Sequence, residues 1–586
     1  MTNLIEILPE KFRSGLTEAE RKLLVTAQEG VPSVFLTGDK EKDDPANAAD
    51  WGPDRTVRAD VIYWLCTYKP AIELVHAKGI WIEGAKIAGP LNLECVDIPH
   101  RLVLAWCALE SVTLIDASAR TLAFNDSVIG GFVTDRLRSF DADRLKMSGS
   151  LLMLNVKAIG QVGLLGADID GDFECDGAEF DNPKGYALSA DRIKVKGSVF
   201  FRNGFKASGA VRLLGADIGG DLSCIGAKFN NPACYVLNAN LFLLTGIALH
   251  ADGIKVKGGI FLRAGFKAVG EVRFLGAEIG GNLDCGGAEF NNPGGNSLHA
   301  DGIKVKGSVF LRNGFKASGA VRLLGADIGG GLSCIGAEFK NPPCYVLNAD
   351  LCGFTGIALH ADGVKVKGNV FFRDGFKASG EVRLLGADIG GGLECDGAEF
   401  DNPKGYALNA DGIMVKGSVF LRYGFKAVGA VRLPGTNIGG DLDCGDAELN
   451  NPDGDALICQ NARITGALVL LQMKGLVGAL NLTHATAGML VDDETSWPEK
   501  GNLYIDGFEY GGLPGVATPK TASARLDWLS LQPTRDKQGG KIFYPRPYEQ
   551  LAKVFRDMGQ ALSLVSYSDG VAFLHFGGGL FDRSCA

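Results

Sequence analysis

A seven-residue phrase, LGADIGG, returns along this chain at fixed intervals. It begins at Leu214, Leu324 and Leu385, and edited forms begin at Leu165 (LGADIDG), Leu275 (LGAEIGG) and Pro434 (PGTNIGG). The successive spacings are 49, 61, 49, 61 and 49 residues. A fixed long period indicates a repeat architecture, in which each copy buries its apolar face against its neighbours. The pattern therefore predicts one continuous stacked core.

Between these phrases, apolar residues alternate with polar ones in short units, as in Ile80-Trp81-Ile82 and Leu91-Asn92-Leu93. Alternation with a period of two is typical of short strands with one buried face and one solvated face. With two units per coil, residues 79–492 would form ~17 coils. The predicted fold class is mainly β, a long parallel β-helix (a β-solenoid) with right-handed coils by default, a short helical N-terminal cap and a helical C-terminal segment.

The domain organisation follows from changes in this period. Residues 1–78 are predicted to form a helical N-terminal cap, with a capping box from Thr17 to Glu20 and a helix over 51–66 that places Val57, Val61, Ile62 and Leu65 on one face. Residues 79–492 are the solenoid, 493–520 a final strand and linker, 521–560 a helical segment, and 561–586 an irregular tail.

The 61-residue spacing arises from an insertion of 12 residues within YVLNANLFLLTGIALHADG, compared with YALSADR in the shorter copies. If the insertion adds a fifth unit to the usual four, two units per coil would leave the following chain half a coil out of phase. The sequence leaves two outcomes open, namely that the insertion bulges out as a hairpin or that it shifts the register.

Composition excludes several classes of protein. Net charge is −9 over 586 residues, and positive and negative residues are mixed within each repeat, so neither a basic stripe for nucleic acid nor an acidic mimic of it is expected. The first residues lack the apolar region of a secretory signal, and no run of 18 apolar residues occurs. The expected location is the cytoplasm, with the periphery of the inner membrane as the alternative.

Several rows of repeated polar or reactive residues are candidates for chemistry. Six cysteines hold one phase (Cys175, Cys224, Cys285, Cys334, Cys395 and Cys444), without a CxxC pair. Residues two coils apart lie roughly 10 Å from each other, which is too far for a disulfide or for shared zinc ligation. We therefore predict that these thiols pack in the core.

Three histidines precede an aspartate by two residues in LHADG (His250, His299 and His360, with Asp252, Asp301 and Asp362). On a strand this spacing puts both side chains on one face, as for a general base and its orienting carboxylate, but a base also needs a nucleophile within reach. The same position holds Ser189 and Asn409 in other copies, which favours a polar ladder on the surface.

Four further rows complete the repeat. The acidic row (Asp168, Asp217, Glu278, Asp327 and Asp388, ending in Asn437) and the lysine pairs (Lys255/Lys257, Lys304/Lys306 and Lys365/Lys367) are predicted to line a solvated outer face. Asn-Pro recurs at corners (Asn231-Pro232, Asn292-Pro293, Asn341-Pro342 and Asn402-Pro403). One row of phenylalanines (Phe205, Phe266, Phe315, Phe376 and Phe425) is predicted to stack in the core.

Recognised catalytic motifs do not account for these rows. The glycines of GADIGG precede another strand, whereas a dinucleotide fingerprint must open a helix, and no Walker loop, HExxH or GxSxG occurs. The sequence thus assigns no catalytic residue, no cofactor and no metal site.

The segments Trp51–Val61, Asp506–Phe508, Leu526–Leu529 and Pro545–Gly559, together with the GADIGG units, resemble a bacterial family of pentapeptide-like β-solenoid proteins commonly labelled membrane-associated oxidoreductase. The resemblance extends to about Gln560 and implies the same solenoid fold. It carries no catalytic residue over to this chain. Similar proteins continue into apolar segments, so membrane association is expected for them and not for this chain, whose tail we interpret as truncated or frameshifted.

Two functions are compatible with the sequence. The first is a non-catalytic structural or interaction scaffold that presents repeated ladders to a protein partner, with no role in binding nucleic acid. The alternative is the oxidoreductase activity that the resemblance implies.

Overall fold

The computed structural model describes residues 3–131, 138–232, 246–342, 356–535 and 538–559, and of residues 560–586 only the backbone of three strands. The chain divides into two compact units: unit 1 comprises Met1–Asn292 with Ser297–Val305, and unit 2 comprises Pro293–Asn296 with Lys306–Ala586. The predicted fold class is confirmed, because the chain is mainly β and forms a parallel β-solenoid of about 17 turns with about 12% helix.

Each coil has four strand positions, here called sides 1 to 4 in chain order. In one coil of unit 1, side 1 is Asp168–Ile169, side 2 is Phe173–Glu174, and sides 3 and 4 are the start and the end of the bent strand Glu179–Ser189. The next coil begins at Lys194–Val195, which pairs in parallel with Asp168–Ile169. Residues at equivalent positions therefore lie directly above one another along each side.

In unit 1, side 1 consists of Asp97–Ile98, Ser118–Ala119, Lys146–Met147, Asp168–Ile169, Lys194–Val195, Asp217–Ile218, Lys255–Val256, Glu278–Ile279 and Lys304–Val305. Side 2 consists of Ser33–Val34, Ile80–Glu83, Leu102–Ala105, Leu122–Ala123, Leu151–Leu152, Phe173–Glu174, Val199–Phe200, Leu222–Ser223, Ile260–Phe261 and Leu283–Asp284. Side 3 consists of Thr56–Arg58, Lys86–Ala88, Ala108–Leu109, Val128–Gly130, Lys157–Ile159, Lys228–Asn230, Lys267–Val269 and the starts of Glu179–Ser189, Lys206–Arg212 and Glu289–His299. Side 4 consists of Leu91–Asn92, Val112–Thr113, Arg138–Asp141, Gln161–Gly163, Ile247–His250, Glu271–Arg273 and the ends of the same three long strands.

In unit 2, side 1 consists of Asp327–Ile328, Lys365–Val366, Asp388–Ile389, Met414–Val415, Asn437–Ile438, Glu509–Tyr510 and the starts of Arg463–Leu470 and Thr486–Asp492. Side 2 consists of Val309–Phe310, Leu332–Ser333, Val370–Phe371, Leu393–Glu394, Val419–Phe420, Leu442–Asp443 and the ends of those two long strands. Side 3 consists of Glu338–Lys340, Lys377–Ser379 and the starts of Lys316–Arg322, Glu399–Asn409, Lys426–Arg432, Glu448–Ile458 and Gly475–Asn481. Side 4 consists of Ile357–His360, Glu381–Arg383, Leu503–Tyr504 and the ends of these five strands.

The 49-residue spacing corresponds to two coils of unequal length. Along the side 1 ladder, Asp168 pairs with Lys194 after a longer coil, and Lys194 pairs with Asp217 after a shorter one. The 61-residue spacing corresponds to the same pair of coils with the longer coil extended by the insertion. This follows because Asp217 still pairs with the next side 1 residue, Lys255, across the extended coil. The assumption of two sequence units per coil is thus confirmed.

The insertion does not shift the register. Strands Lys228–Asn230 and Ile247–His250, which precede and follow it, both pair with the same strand, Lys206–Arg212. The side chain of Asn231 closes the gap, since its Nδ2 donates to the Ile247 carbonyl oxygen at 2.8 Å. Residues 233–245, including most of the insertion, lie outside the described residues, as do residues 343–355 of its second copy.

The same asparagine bond forms the ordinary corner between sides 3 and 4. Asn402 Nδ2 donates to the Tyr406 carbonyl oxygen at 2.8 Å, across a much shorter stretch of chain than the bond from Asn231 to Ile247. The predicted Asn-Pro corners are therefore confirmed where the structure describes them, and the asparagine amide explains how one corner accommodates both loop lengths.

The N-terminal segment covers the first coil with helices and two strands. Its helices are α1 (Glu10–Arg13), α2 (Glu18–Glu29), α3 (Ala59–Thr67) and α4 (Lys69–Leu74), with 3₁₀ turns at Pro45–Asp50 and Pro53–Arg55. The capping box predicted from Thr17 to Glu20 is present. Strands Ser33–Val34 and Thr56–Arg58 pair with sides 2 and 3, and α3 packs on the first strands of sides 4 and 1. The open strand edges are thereby covered.

One prediction for this segment is wrong. Val57 is expected on the helical face of residues 51–66, but it lies in strand Thr56–Arg58 opposite Ile87, and the helix begins only at Ala59. The exposed backbone edge of side 3 pairs with β-branched Thr56 and Val57, which suit an extended conformation. Val61, Ile62 and Leu65 are buried on α3 as expected.

At the other end of the chain, two helices follow the final coil of unit 2. The 3₁₀ turn Glu494–Ser496 precedes strands Leu503–Tyr504 and Glu509–Tyr510, so the single strand expected over 501–510 is two strands with a turn at Gly507 (φ +68°). The helical segment contains α5 (Ala522–Leu529) and α6 (Arg546–Asp557). In the tail, the described strands are Leu562–Ser568, Val571–Phe576 and Gly579–Phe581, which form an antiparallel sheet; the rest of 560–586 lies outside the described residues.

A buried ion pair attaches α5 to the last long strand. Arg525 Nη1 and Nη2 donate to the two carboxylate oxygens of Asp492 at 2.8 and 2.6 Å, and the indole Nε1 of Trp497 donates to the same carboxylate at 2.9 Å. Arg525 is 0% exposed. A bidentate pair with a further donor satisfies the geometry that a buried charge requires.

Two kinds of aromatic row fill the core. The predicted row is fully buried, and its members alternate along the solenoid with a second row on side 3. In unit 1 the ring centroids of Phe205 and Phe229 are 5.8 Å apart and those of Phe229 and Phe266 are 5.2 Å apart, edge to face. In unit 2, Phe376 and Phe400 repeat the arrangement at 5.6 Å. The stacking prediction is confirmed, with rings contributed alternately by the residue just before the side 3 strand and by the second residue of that strand in the next coil.

Candidate interaction surfaces

The cysteine row lies inside the coils. All six thiols are 0% exposed, and burial raises the pKa of each of them. A nucleophilic or metal-binding cysteine needs a lowered pKa and access to solvent. The prediction that these residues are small apolar fillers of the core is therefore confirmed.

Side 1 carries an alternating row of charges. In register, Asp168 lies beside Lys194, Lys194 beside Asp217, and Asp217 beside Lys255. Lys304 Nζ lies 3.8 Å from Glu278 Oε1, with both side chains more than half exposed. The solvated outer face predicted for the acidic row and for the lysine pairs is confirmed, and the alternation places opposite charges on neighbouring strands.

Side 4 carries the histidine row, half-buried among carboxylates and arginines. The Nε2 of His250 lies 3.0 Å from Asp252 Oδ2, and Arg273 Nη2 donates to the same oxygen at 2.7 Å. In the next copy, His299 bonds Asp301 through Nε2 at 3.1 Å and Glu271 through Nδ1 at 2.9 Å. Unit 2 repeats the cluster with His360, Asp362 and Arg383.

These contacts shift the pKa of His299 and of Asp252 in opposite directions. Burial lowers the pKa of His299, but its bonds to Asp301 and Glu271 outweigh burial and raise that pKa above its ordinary value. Burial raises the pKa of Asp252, but hydrogen bonds from His250 and Arg273 outweigh it and lower the value to about 2. Since the carboxylates occupy both ring nitrogens of His299, the cluster is a paired polar ladder rather than a base with its nucleophile, as predicted.

Side 2 carries a row that the sequence prediction missed. From Phe200 to Phe420, the outward residue is a half-buried phenylalanine in every second coil, followed two residues later by an arginine. The pairs are Phe200/Arg202 and Phe261/Arg263 in unit 1, and Phe310/Arg312, Phe371/Arg373 and Phe420/Arg422 in unit 2. Each guanidinium lies over its phenyl ring, with Cζ between 3.8 and 5.0 Å from the centroid. We call these residues, with the outward residues of the coils between them, the side 2 stripe.

Carboxylates accompany most of these arginines. Arg202 pairs with Asp176 at 2.8 Å, Arg263 with Asp284 at 3.1 Å and Arg373 with Glu394 at 2.6 Å. Arg422 lies between Asp396 and Asp443 at 3.2 and 3.1 Å. The stripe therefore combines apolar phenyl rings with the hydrogen-bonding groups of arginines and carboxylates. The positive charges of most of its arginines are balanced by these carboxylates.

Three buried polar atoms of the stripe in unit 2 have no hydrogen-bond partner. They are the Nε of Arg312, the Oγ of Ser333 and the Nε of Arg373. The last of these lies 3.3 Å from Asp374 Oδ2 as an ion pair, without the alignment of a hydrogen bond. Ser333 is 4% exposed and lies between Phe310 and Phe371 on adjacent coils. Buried polar atoms without a hydrogen bond carry a free-energy cost.

The sequence held a signal for this row. The tripeptides FFR and FLR recur at 61- and 49-residue spacings from Phe200 to Phe420, and alternation directs the first ring outward. The second residue of each tripeptide points inward; Phe201, Leu262, Leu311, Phe372 and Leu421 are 0% exposed. Because the first two residues of each tripeptide are both apolar, the sequence alone does not distinguish the outward phenylalanine from the buried residue that follows it.

A shallow depression of about 470 Å³ lies beside the first coils of unit 1, lined by Ala59, Asp60, Tyr63, Pro90, Asn92, Glu94 and Cys95. Cys95 is an exposed free thiol. Across the ranges that the structure describes, no group of three or more His, Cys, Asp or Glu side chains is arranged to hold a metal ion.

Among the described residues, none of the helices has the length and apolarity needed to cross a lipid bilayer. A scan against protein-family models, a search of curated proteins and a search of solved structures each found no match to this chain.

Proposed function

We propose that this protein is a non-catalytic scaffold whose solenoid presents the side 2 stripe to a protein partner. The supporting observation is the repetition of the same phenylalanine–arginine pair, half-buried, at every second coil from Phe200 to Phe420. Exposed aromatic rings and arginines are the side chains that contribute most at protein interfaces. The balanced charge of the stripe does not favour a polyanion such as nucleic acid, which requires an excess of basic groups.

A rigid repeated surface suits this role because its anchors are fixed before binding. Each phenylalanine sits on a short paired strand, and arginines such as Arg263 and Arg373 are held by a carboxylate on a neighbouring coil. Binding to such a surface costs little side-chain entropy. The location proposed is the cytoplasm, with the periphery of the inner membrane as the alternative.

The proposal is tested by affinity capture with the full chain and two variants. The stripe variant combines Phe261→Ser with Phe371→Ser. Serine already occupies this position in the neighbouring coils, as Ser223 and Ser333, so the fold should tolerate both substitutions. Met414→Lys is the matched control, because lysine occupies the same side 1 row at Lys365. We expect partners to be lost only with the stripe variant. Equal capture by all three proteins would contradict the proposal.

The alternative function is the oxidoreductase activity implied by the family resemblance. That activity would require a redox group bound by the protein. The absorbance spectrum of the purified full chain distinguishes the two proposals, since a flavin or nicotinamide band would favour the oxidoreductase.

A further inference from the structure

The side 2 stripe of unit 2 alternates in size and in charge from coil to coil. Its outward residues are, in order, Phe310, Ser333, Phe371, Glu394, Phe420 and Asp443. Arginines follow the three phenylalanines, whereas the coils between them carry a serine or an acid. At about 4.8 Å per coil, ridges of aromatic and cationic groups recur every ~10 Å, separated by shallower, acidic rows.

A surface of this kind is complementary to a second copy of itself shifted by one coil. Consider a two-fold axis that runs parallel to the strands and passes between the coils of Phe371 and Glu394. This axis generates a second copy whose six coils run in the opposite order across the interface. Phe371 then faces Glu394 of the second copy, Ser333 faces Phe420, and Phe310 faces Asp443. Each aromatic ridge meets a row of smaller or acidic side chains, which is the self-matching that an isologous interface requires.

The same superposition places a carboxylate of the second copy opposite an arginine of the stripe. Arg373 and Asp396 each lie two residues after the outward residue of their coil, so Arg373 would face Asp396 of the second copy. Burial raises the pKa of Asp396 despite Arg422 beside it, so a further arginine would stabilise its charged form.

We propose that two copies of this chain associate face to face through the side 2 stripe of unit 2, in antiparallel orientation about that axis. The inference rests on the proposed function, since it takes the stripe to be an interaction surface and names a second copy as the occupant. The five intervals of ~4.8 Å between six coils make the matched strip only about 24 Å long, so the dimer is expected to be weak and reversible.

Sedimentation equilibrium of the full chain over a range of concentrations tests the proposal. We expect a monomer–dimer equilibrium that Phe371→Ser weakens by about tenfold or more, because a two-fold interface loses the anchor twice. Met414→Lys, outside the stripe, should leave the equilibrium unchanged. A wild-type chain that stays monomeric, or a dimer insensitive to Phe371→Ser, would overturn the proposal.

A charge exchange tests the predicted register. Arg373→Glu alone and Asp396→Arg alone should each weaken the dimer, and the two together should restore it, because the exchanged charges meet across the two-fold axis. Failure of the double variant to recover, with both single variants folded by circular dichroism, would overturn the antiparallel register. If self-association is absent while Phe261→Ser/Phe371→Ser still loses a captured protein, the scaffold function survives and the second copy is excluded as its partner; if neither depends on the stripe, both proposals fail.

Discussion

Replacing Gly429 by alanine should destabilise unit 2 more than the same change at Gly424, because of what surrounds each site. Both glycines have positive φ, +104° and +85°. A Cβ at Gly429 would lie 2.3 Å from the Asn402 carbonyl oxygen and 2.8 Å from that of Gly405, at the corner that the Asn402 side chain closes, whereas a Cβ at Gly424 meets nothing within 4 Å.

The expected magnitudes follow from two separate costs. An L-residue forced into left-handed backbone loses about 1–2 kcal/mol, and this cost applies to both variants. Displacing two backbone carbonyls of a packed corner adds about 1–3 kcal/mol for Gly429→Ala alone. We therefore expect losses of about 1–2 kcal/mol for Gly424→Ala and about 2–5 kcal/mol for Gly429→Ala.

Hydrogen exchange measured by mass spectrometry is the appropriate assay, since solenoids unfold locally as well as globally. Faster exchange should centre on strands Glu399–Asn409 and Lys426–Arg432 in Gly429→Ala, and it should be smaller in Gly424→Ala. Urea unfolding followed by tryptophan fluorescence gives the global comparison. If the two variants exchange and unfold alike, the close approach of the corner carbonyls does not limit stability and the reasoning is refuted.

Three further outcomes are expected. Arg525→Leu leaves Asp492 buried without its cation and should cost about 3–5 kcal/mol in urea unfolding; adding Asp492→Leu should recover much of this, and a single variant as stable as wild type would contradict the ion pair. His299 has a raised pKa, so its contribution is full below its ordinary value and is lost as pH rises through the folded value; His299→Asn should flatten the fall in unfolding free energy above about pH 6.5, and an unchanged slope would contradict this. Iodoacetamide should alkylate exposed Cys95 in the native protein while buried Cys224 reacts only after denaturation, as read by peptide mass spectrometry; early labelling of Cys224 would contradict the packing.

The fold could be predicted because the repeat imposes the same local pattern on every coil. Alternation in units such as Ile80-Trp81-Ile82 specifies a strand with a buried and a solvated face, and stacking is the way many short strands share a core. The error at Val57 has a physical origin. The residues around Val57 could either continue a helix or pair with the edge of the sheet. The unpaired backbone of the neighbouring strand favoured pairing, and sequence periodicity does not reveal that edge.

The candidate surface was harder to predict than the fold. The histidine and cysteine rows stand out in the sequence because their side chains are chemically reactive, yet the structure places them in a paired ladder and in the core. Phe261 and Phe371 resemble ordinary apolar core residues in the sequence. Their outward direction follows from alternation, but the carboxylates that hold the arginines and the surroundings of the Ser333 hydroxyl depend on contacts between neighbouring coils. Those contacts join residues far apart in sequence, as in the pairing of Ser333 with Phe371 and the ion pair of Arg422 with Asp443.

The alternation of long and short coils has a consequence for how this chain can lengthen or shorten. Loss of a single coil from unit 1 would bring Lys194 beside Lys255 on side 1 and Phe200 beside Phe261 on side 2, turning neighbours of opposite character into like ones, and like charges directly opposite on adjacent strands are destabilising. Removing two successive coils between Asp168 and Lys304 preserves the alternation of charge on side 1. We therefore expect viable size variants of this repeated region to differ by even numbers of coils.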